Sequence, residues 1–577
     1  MPSELHDYVH GVLETGNHGP YRVIKFEISD LNDIIESHSK KIAQRIHGSV
    51  HKALHEIELR KQVTVHNDLG NISFKCTVEK PKNLKELVDV LVKAKREKQN
   101  VRAVGAFHAW SPVCVTAGYL VKTDKLVGTE RTPTATLKDP SNASAYYDVL
   151  SGTSWKEAAV SLEKEGRALM NIGGYSGLRV VGATATGTHG SGLTIPPLAG
   201  MIRGVTLVSA KFGSDGKPII YRIEPTGGIT DPNRHSGPVV LIQDDKTFNA
   251  VIVGLCAFGL VYSVTIETLP FYWVEETRQL VDWSTAKGLL EQGPTGSILK
   301  CHNAEVWLNP YTKKALITRR EVTTIRPKDG GDGSVSVFVS LIKLLPALKT
   351  VLQHLEKTFQ NIGDEIIREL GQILAGILKE FPLLIPFGVN IALESQDHTK
   401  PKTGKYYDIY DIGFANQLPA ISIEVSYPLS TYIAAVDSAF DWFNTLFEKD
   451  FSKGLAGFLS IRFTSGIAAN VSMSFSPDPA TSPGRSYLEI FSLFALYNSI
   501  KDFDEVVRPV QEKSINEFQG RLHWGQYLTP SFTALQYKEH DPEFFQSLSE
   551  FKKIAEQFDP DRIMWNDFMK DTIWSVV

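Results

Sequence analysis

The sequence predicts an α+β chain, and two observations carry the prediction. From about Asn71 short apolar strands alternate with helix-patterned runs, with a glycine turn after each strand. From about Phe271 longer strand-like runs stand between long helices.

Taken in order, Leu31, Ile34, Ile35, Ile42 and Ile46 recur at helical spacing up to about Lys61, which reads as a helical extension serving as a packing arm or oligomer contact. His38, His47, His51 and His55 lie on it at spacings a metal could use. No carboxylate motif completes a site, so a solvated helix face and no metal are expected. Ile72–Val78 reads as a strand, and Pro81-Lys82-Asn83 opens a helix with Leu84, Leu87, Val88, Leu91 and Val92 on its buried stripe. The strand Val101–Val104 breaks at Gly105. The strand Tyr147–Leu150 runs through Ser151-Gly152-Thr153 into a helix opened by Ser154 and Glu157, a capping box. Further strands are expected at Glu305–Leu308, Ala315–Arg319, Ile421–Tyr427 and Leu459–Thr464. Between them lie a Gly/Asp-rich loop, RPKDGGDG, and a helical stretch from Val335 to Glu380. The apolar run FPLLIPFGVNIAL that follows is too short to span a bilayer and carries two prolines. Buried packing and a membrane-surface or hydrophobic-substrate role both remain open for it.

Composition narrows the function classes. With 61 Lys+Arg against 65 Asp+Glu and a net charge of −4, the chain lacks the basic excess of a nucleic-acid binder. Cys76, Cys114, Cys256 and Cys301 form no CxxC and no zinc spacing. The first residues lack a signal-peptide pattern and no long apolar run occurs. The expected location is therefore intracellular, either cytoplasmic or peripherally membrane-associated.

Two segments carry candidate chemistry. Val180 to Ile202 contains no Asp, Glu, Lys or Arg, and places Gly182, Gly187, Gly190 and Gly192 among small residues. Absent Cβ atoms let backbone amides approach a ligand, and a large, flat, uncharged ring system suits such a lining; a buried glycine-rich strand and turn is the alternative. In Arg102 to Pro112 the strand ends at Val104, Gly105 permits a sharp turn, and successive amides could form a nest for a pyrophosphate. His108, on that turn, reads as structural or reactive according to whether the two segments meet.

The order of motifs resembles the FAD-binding domain of the vanillyl-alcohol oxidase superfamily. It comprises the Pro81-Lys82-Asn83 helix start, VRAVGAFHAWSP, the strand–helix from Asp148, NIGGYSGLRVVGATATGTHGSG, and DKTFNAVIVGLCAFGLVYSVTIE. The sugar-1,4-lactone and alditol oxidase branch is the most similar, through Glu424-Val-Ser-Tyr-Pro428, Ser460-Ile-Arg462-Phe463, His523-Trp524-Gly525-Gln526 and the run from Asp559 to Asn566. The resemblance covers residue 68 to the end, outside 326–400. It implies a two-subdomain FAD-binding domain of the PCMH type over 68–270, after an extension at 1–67. A substrate (cap) domain with an antiparallel sheet flanked by helices would occupy 271–545, with its helical insertion at about 335–380. Residues 546–577 would return to the FAD-binding domain.

The resemblance also implies roles. His108 stands where the family joins histidine covalently to the flavin, with Ala103, Val104, Gly105, Ala106, Phe107 and Ala109 around the pyrophosphate. Gly173, Gly174, Gly182, Thr186, Gly187, His189 and Gly190 would line the isoalloxazine and ribityl chain, and His523 would close the pyrimidine end. Arg462 would stabilise negative charge as a hydride leaves the substrate carbon. With Ser460 and Gln526 it makes up the implied catalytic set.

Three departures bear on the substrate. Ser460 replaces the glutamate of the family's Glu-x-Arg, Gln526 replaces the lysine of His-Trp-Gly-Lys, and Ala183 stands where alditol oxidases place a serine. Each lost polar partner costs a hydroxylated substrate about 1–3 kcal/mol. Phe107 and Trp110 resemble instead the loop of flavin-linked sterol oxidases. The expected activity is oxidation of an alcohol or lactol by FAD, which passes its electrons to oxygen or another acceptor. A sugar-1,4-lactone is the family's default small-molecule substrate. The alternatives are a less polar sterol-like or aromatic alcohol, and a flavoprotein with a non-oxidative or structural role.

Overall fold

The computed structural model describes residues 62–327, 372, 374–412 and 418–574. The expected N-terminal helical extension with its histidines, and most of the 335–380 insertion, lie outside the described residues.

The first sheet has four strands, β1 (Val63–His66), β2 (Ser73–Glu79), β3 (Val101–Val104) and β4 (Tyr119–Lys122), in the order β1-β2-β4-β3. Strands β2 and β3 both run parallel to β4. Parallel neighbours need crossover connections, and helix α1 (Leu84–Glu97) lies between β2 and β3 in the chain. Asn83 caps α1 by accepting the Glu86 amide, Leu87, Val90, Leu91 and Ala94 are its buried positions, and Lys98 ends it in the left-handed conformation.

A six-stranded sheet follows: β5 (Thr129–Arg131), β6 (Tyr146–Leu150), β7 (Ile202–Phe212), β8 (Pro218–Glu224), β9 (Val240–Gln243) and β10 (Gly259–Glu267), ordered β9-β8-β7-β10-β6-β5. Helix α2 (Trp155–Lys164) starts at the expected capping box of Ser154 and Glu157. The glycine-rich segment differs from the strand-and-turn alternative, because Val180–Ala185 form a short helix, α3. The Thr184 hydroxyl bonds back to the Val180 carbonyl at 3.0 Å, and the chain leaves the helix through Gly187 at φ 89°.

The largest sheet is antiparallel in each of its pairings: β11 (Trp273–Asp282), β12 (Asn303–Leu308), β13 (Lys314–Thr323), β14 (His398–Lys405), β15 (Ala420–Pro428), β16 (Leu459–Thr464), β17 (Arg485–Leu493) and β18 (Arg521–Leu522), ordered β14-β11-β13-β12-β16-β17-β15-β18. Side chains alternate between faces along a strand. Val306, Ile461, Leu459, Ile490 and Ile423 are matched across β12, β16, β17 and β15 on one face, and α4 (Tyr432–Lys449) and α5 (Ile500–Phe518) pack on β15, with α4 also on β17. The alternate positions carry the polar Glu305, Ser422, Glu424, Ser460, Arg462 and Glu489 beside the aromatic Trp307, Tyr487 and Phe491. A one-residue slip of any strand would carry its charges into the hydrophobic core, so the register is strongly held.

After helix α6 (Pro542–Phe558) the chain closes back on the first sheet. Val101 donates to the Ile563 carbonyl at 2.8 Å, and the Asn566 amide reaches the carbonyls of Pro112, Val113 and Val115. The apolar run at 381–393 divides between its two readings. Ile385, Val389, Ile391 and Leu393 are buried, while Phe381, Leu383, Leu384 and Phe387 are exposed. No single helix among the described residues is long and apolar enough to cross a membrane; Leu374–Glu380 and Pro382–Glu394 form a pair bent by 117°.

Candidate active site

One cleft is lined by the loop after β3, the Gly173–His189 segment, and the polar face of the large sheet. The loop is fixed from beneath by Arg102. Its buried guanidinium donates to the carbonyls of Val113, Leu255, Cys256 and Met564, which satisfies the charge without a carboxylate. Phe107 (φ 58°), Leu255 (φ 48°) and Cys256 (φ 57°) all line the cleft in left-handed conformations. Such conformations cost free energy in bulky residues and gather at ligand sites.

The loop and the glycine-rich segment meet at glycines. A Cβ on Gly182 would lie 3.8 Å from the Gly105 nitrogen, and one on Gly105 would lie 2.6 Å from the Arg179 Cβ. Larger residues would cover the amides this contact leaves facing the cleft. His108 Nδ1 lies 2.9 Å from Asp68 Oδ2, with its ring 5.1 Å from that of Trp110 and 5.2 Å from that of Tyr175. His189 stacks on Tyr487 at 3.6 Å between ring centroids. Both its nitrogens face acceptors, Nδ1 the Gly190 carbonyl at 2.7 Å and Nε2 the Glu424 carboxylate at 3.0 Å. His523 differs. Its Nδ1 accepts the Gly525 and Gln526 amides, and burial, against the pull of Glu424, lowers its pKa to about 4 and keeps it neutral.

Opposite these stands Arg462. Its Nε donates to Glu305 at 2.8 Å and one Nη to Glu489 at 3.0 Å, with Glu424 at 4.0 Å. The other Nη lies 3.6 Å from where a Gly174 Cβ would sit. Burial disfavours the Glu305 charge, but Arg462 and Arg320 outweigh it and hold its pKa near about 2. Burial likewise opposes ionisation of Glu424, and its neighbours His189 and Arg462 overcome it. Glu489 goes the other way: burial outweighs Arg462, Glu424 adds to it, and the pKa rises. The Ser422 hydroxyl stands between two acceptors, the Glu489 carboxylate at 2.9 Å and Gln526 Oε1 at 2.5 Å, and can donate to either.

Of the residues singled out in the sequence, Ala103 to Ala109 with His108, Gly173, Gly174, Gly182, Thr186, His189, Arg462, His523 and Gln526 line this one cleft. Gly187 and Gly190 lie behind its surface; a Cβ on Gly190 would come 2.3 Å from Asn171 Oδ1. Ser460 is buried outside the lining and its hydroxyl donates to Glu305 at 2.9 Å. The sequence reading missed Asp68, Glu305, Glu424 and Glu489 as site residues. Glu424 stood inside a quoted motif, and isolated glutamates in strand-like runs gave no other signal.

A second, apolar cavity shares Ala103, Val104, Gly105, Gly182, Ala185 and Cys256 with the first. Two cavities joined across an uncharged, glycine-opened neck fit a long dinucleotide that carries a flat ring system.

Comparison with known proteins agrees with that fit. Residues 77–212 match the family described as FAD binding domain. L-gulono-1,4-lactone dehydrogenase of Mycobacterium tuberculosis is 21% identical over 497 residues, covering 85% of this chain and 95% of that protein. D-arabinono-1,4-lactone oxidase of Saccharomyces cerevisiae is 24% identical over 269 residues, covering 46% of this chain and 45% of that one. Among solved structures, cholesterol oxidase from Brevibacterium sterolicum superposes with a TM-score of 0.64 at 16% identity, covering 89% of this chain and 97% of that one. The match over residues 77–212 gives the chain an FAD binding domain, and its cofactor is FAD.

Proposed function

We propose that the protein oxidises a CH–OH carbon of a small molecule, with FAD as hydride acceptor, in the cleft between Gly174 and Arg462. The observation that carries this reading is the placement of Arg462. A buried guanidinium is held on two edges by Glu305 and Glu489 and stands across from the glycine-rich lining. A cation fixed before the reaction stabilises the negative charge that develops on a substrate oxygen, at no cost in reorganisation. FAD supplies the two-electron acceptor; the protein supplies orientation and electrostatics. The loop from Ala103 to Ala109 would hold the pyrophosphate, and Gly173, Gly174, Gly182, Thr186 and His189 the ring end. His108 would tether the flavin covalently, with Asp68 fixing its ring. The division into an FAD-binding domain at 68–270, a cap at 271–545 and a returning C-terminal segment belongs to the same reading.

Around Arg462 the lining is Ile412, Leu418, Pro419, Phe458 and Phe491, with the last two rings stacked at 5.4 Å. These walls favour a hydroxyl on a largely apolar body. The names of the relatives support a sugar-1,4-lactone as the second reading. The exposed Phe381, Leu383 and Phe387 would suit peripheral contact with a membrane surface that supplies an apolar substrate.

The test is anaerobic mixing of purified holoprotein with L-gulono-1,4-lactone, xylitol, cyclohexanol and benzyl alcohol, together with a sterol in detergent. Bleaching of the oxidised-flavin band by one of them is the expected outcome. Reoxidation by air, followed as oxygen consumption, then identifies the acceptor. A flavin that stays oxidised with every compound would refute the oxidoreductase reading. Acid-precipitated protein should stay yellow, and His108→Ala should release its colour to the supernatant; free FAD from the unaltered protein would refute the tether.

A further inference from the structure

The catalytic strand carries Ser460 two residues before Arg462, on the same face, where the resemblance implies a carboxylate. That hydroxyl is turned away from the cleft, onto Glu305. The pairing of the sheet places another carboxylate beside that position. Ser460 on β16 is the direct cross-strand partner of Glu489 on β17, and Glu489 is in turn the partner of Glu424 on β15. Residues directly opposite in an antiparallel pair have Cβ atoms about 5 Å apart on the same face. A carboxylate displaced one strand sideways therefore still reaches the cleft that the lost one would have served. Glu489 lines the cleft, pairs with Arg462 at 3.0 Å and accepts from Ser422 at 2.9 Å.

We infer that Glu489 is the group that binds the substrate hydroxyl and takes its proton, replacing from the neighbouring strand the carboxylate absent at Ser460. The inference rests on the cleft being the site of alcohol oxidation. In the step, the O–H bond breaks and its proton goes to the Glu489 carboxylate, which becomes a carboxylic acid. The C–H bond breaks with both electrons leaving as hydride to FAD, and the C–O single bond becomes a carbonyl. The alcohol loses two electrons and FAD gains them.

The surroundings suit that role. Glu305 is committed to Arg462 and Arg320, and Glu424 to His189; neither is available to a substrate proton. The groups facing Glu489 are Arg462 from β16, Glu424 and the Ser422 hydroxyl from β15, and Glu305 from β12. His189 and His523 act on it through Glu424, and Gln526 through Ser422. Burial and the Glu424 charge raise the pKa of Glu489 against the pull of Arg462. Only the ionised form accepts a proton, so flavin reduction should accelerate as pH rises through that raised pKa and then level off.

Stopped-flow flavin reduction across pH tests this, using whichever compound of the panel bleaches the unaltered holoprotein. Glu489→Gln should keep its FAD spectrum, slow reduction about a hundredfold or more, and lose the rise with pH. Glu489→Asp should keep the rise. The paired exchange Ser460→Glu with Glu489→Ser should recover at least about tenfold over Glu489→Gln. A Glu489→Gln protein within about threefold of the original rate, with the pH limb intact, overturns the inference while leaving the oxidation reading standing. Should Glu489→Gln fail to retain FAD, Glu489→Asp and the paired exchange decide: loss of the pH limb in Glu489→Asp, or no recovery in the exchange, overturns it. A flavin unbleached in the unaltered protein marks failure of the oxidation reading instead.

Discussion

Between Val180 and Ile202 the chain has no Asp, Glu, Lys or Arg, whereas the sheet facing it across the cleft packs Glu305, Glu424 and Glu489 around Arg462. The first wall comes from two contiguous runs whose glycines bring backbone close to a ligand. The second draws one or two side chains from each of four strands. Around it, Glu276, Glu305, Glu424 and Glu489 outnumber Arg278, Arg320 and Arg462 by one carboxylate. A bound cofactor is served by shape and neutral donors; a bond-breaking step needs charge and a site for a proton. On the proposed function, binding and chemistry fall on separate walls of the cleft.

The separation can be broken experimentally. Arg462→Ala should slow flavin reduction by about a thousandfold while FAD remains bound. Equal loss of FAD, read from the visible spectrum after gel filtration, would mean the two walls are one structural unit. Glu305 gives a pH test. Its pKa falls from 4.5 to about 2 in the folded protein, so its contribution, on the order of 3 kcal/mol, is present above pH 4.5. That contribution is lost as pH drops toward 2. The thermal midpoint should therefore decline over this range, and Glu305→Gln should flatten part of the decline. On the other wall, Gly190→Ala forces a Cβ to within 2.3 Å of Asn171 Oδ1 and 2.6 Å of the Ile172 carbonyl. It should cost about 2 kcal/mol and lower FAD occupancy, with the reduction rate per bound flavin little changed. The smallest effect belongs to Ser460→Ala, which removes one bond to Glu305: about 1 kcal/mol of stability and less than threefold in rate. A large rate loss there would return Ser460 to the catalytic set.

Much of the fold was legible. The helix caps at Asn83 and Ser154 and the strand end at Val104 depend on neighbours three or four residues away, which a sequence displays directly. The short helix at Val180–Ala185 was less so. Its glycine and threonine disfavour helix intrinsically, and packing against the Gly105 turn overrides propensity. The loop at His108 and the glycine-rich segment stood out because each is a contiguous run, and the fold brings both to one cleft.

The residue pattern by itself thus determined the strand–turn–helix alternation and the uncharged run from Val180 to Ile202, both written within short stretches of chain, while the resemblance singled out Arg462. Tertiary structure alone decided which carboxylates face that arginine. Glu305 is 157 residues from Arg462 in the chain, His189 is 235 from Glu424, and Glu489 is 27 beyond Arg462. Only strand register brings them onto one face. Register is set by the summed burial of apolar partners such as Ile461 and Ile490 on the opposite side of the sheet, and no local segment records that sum.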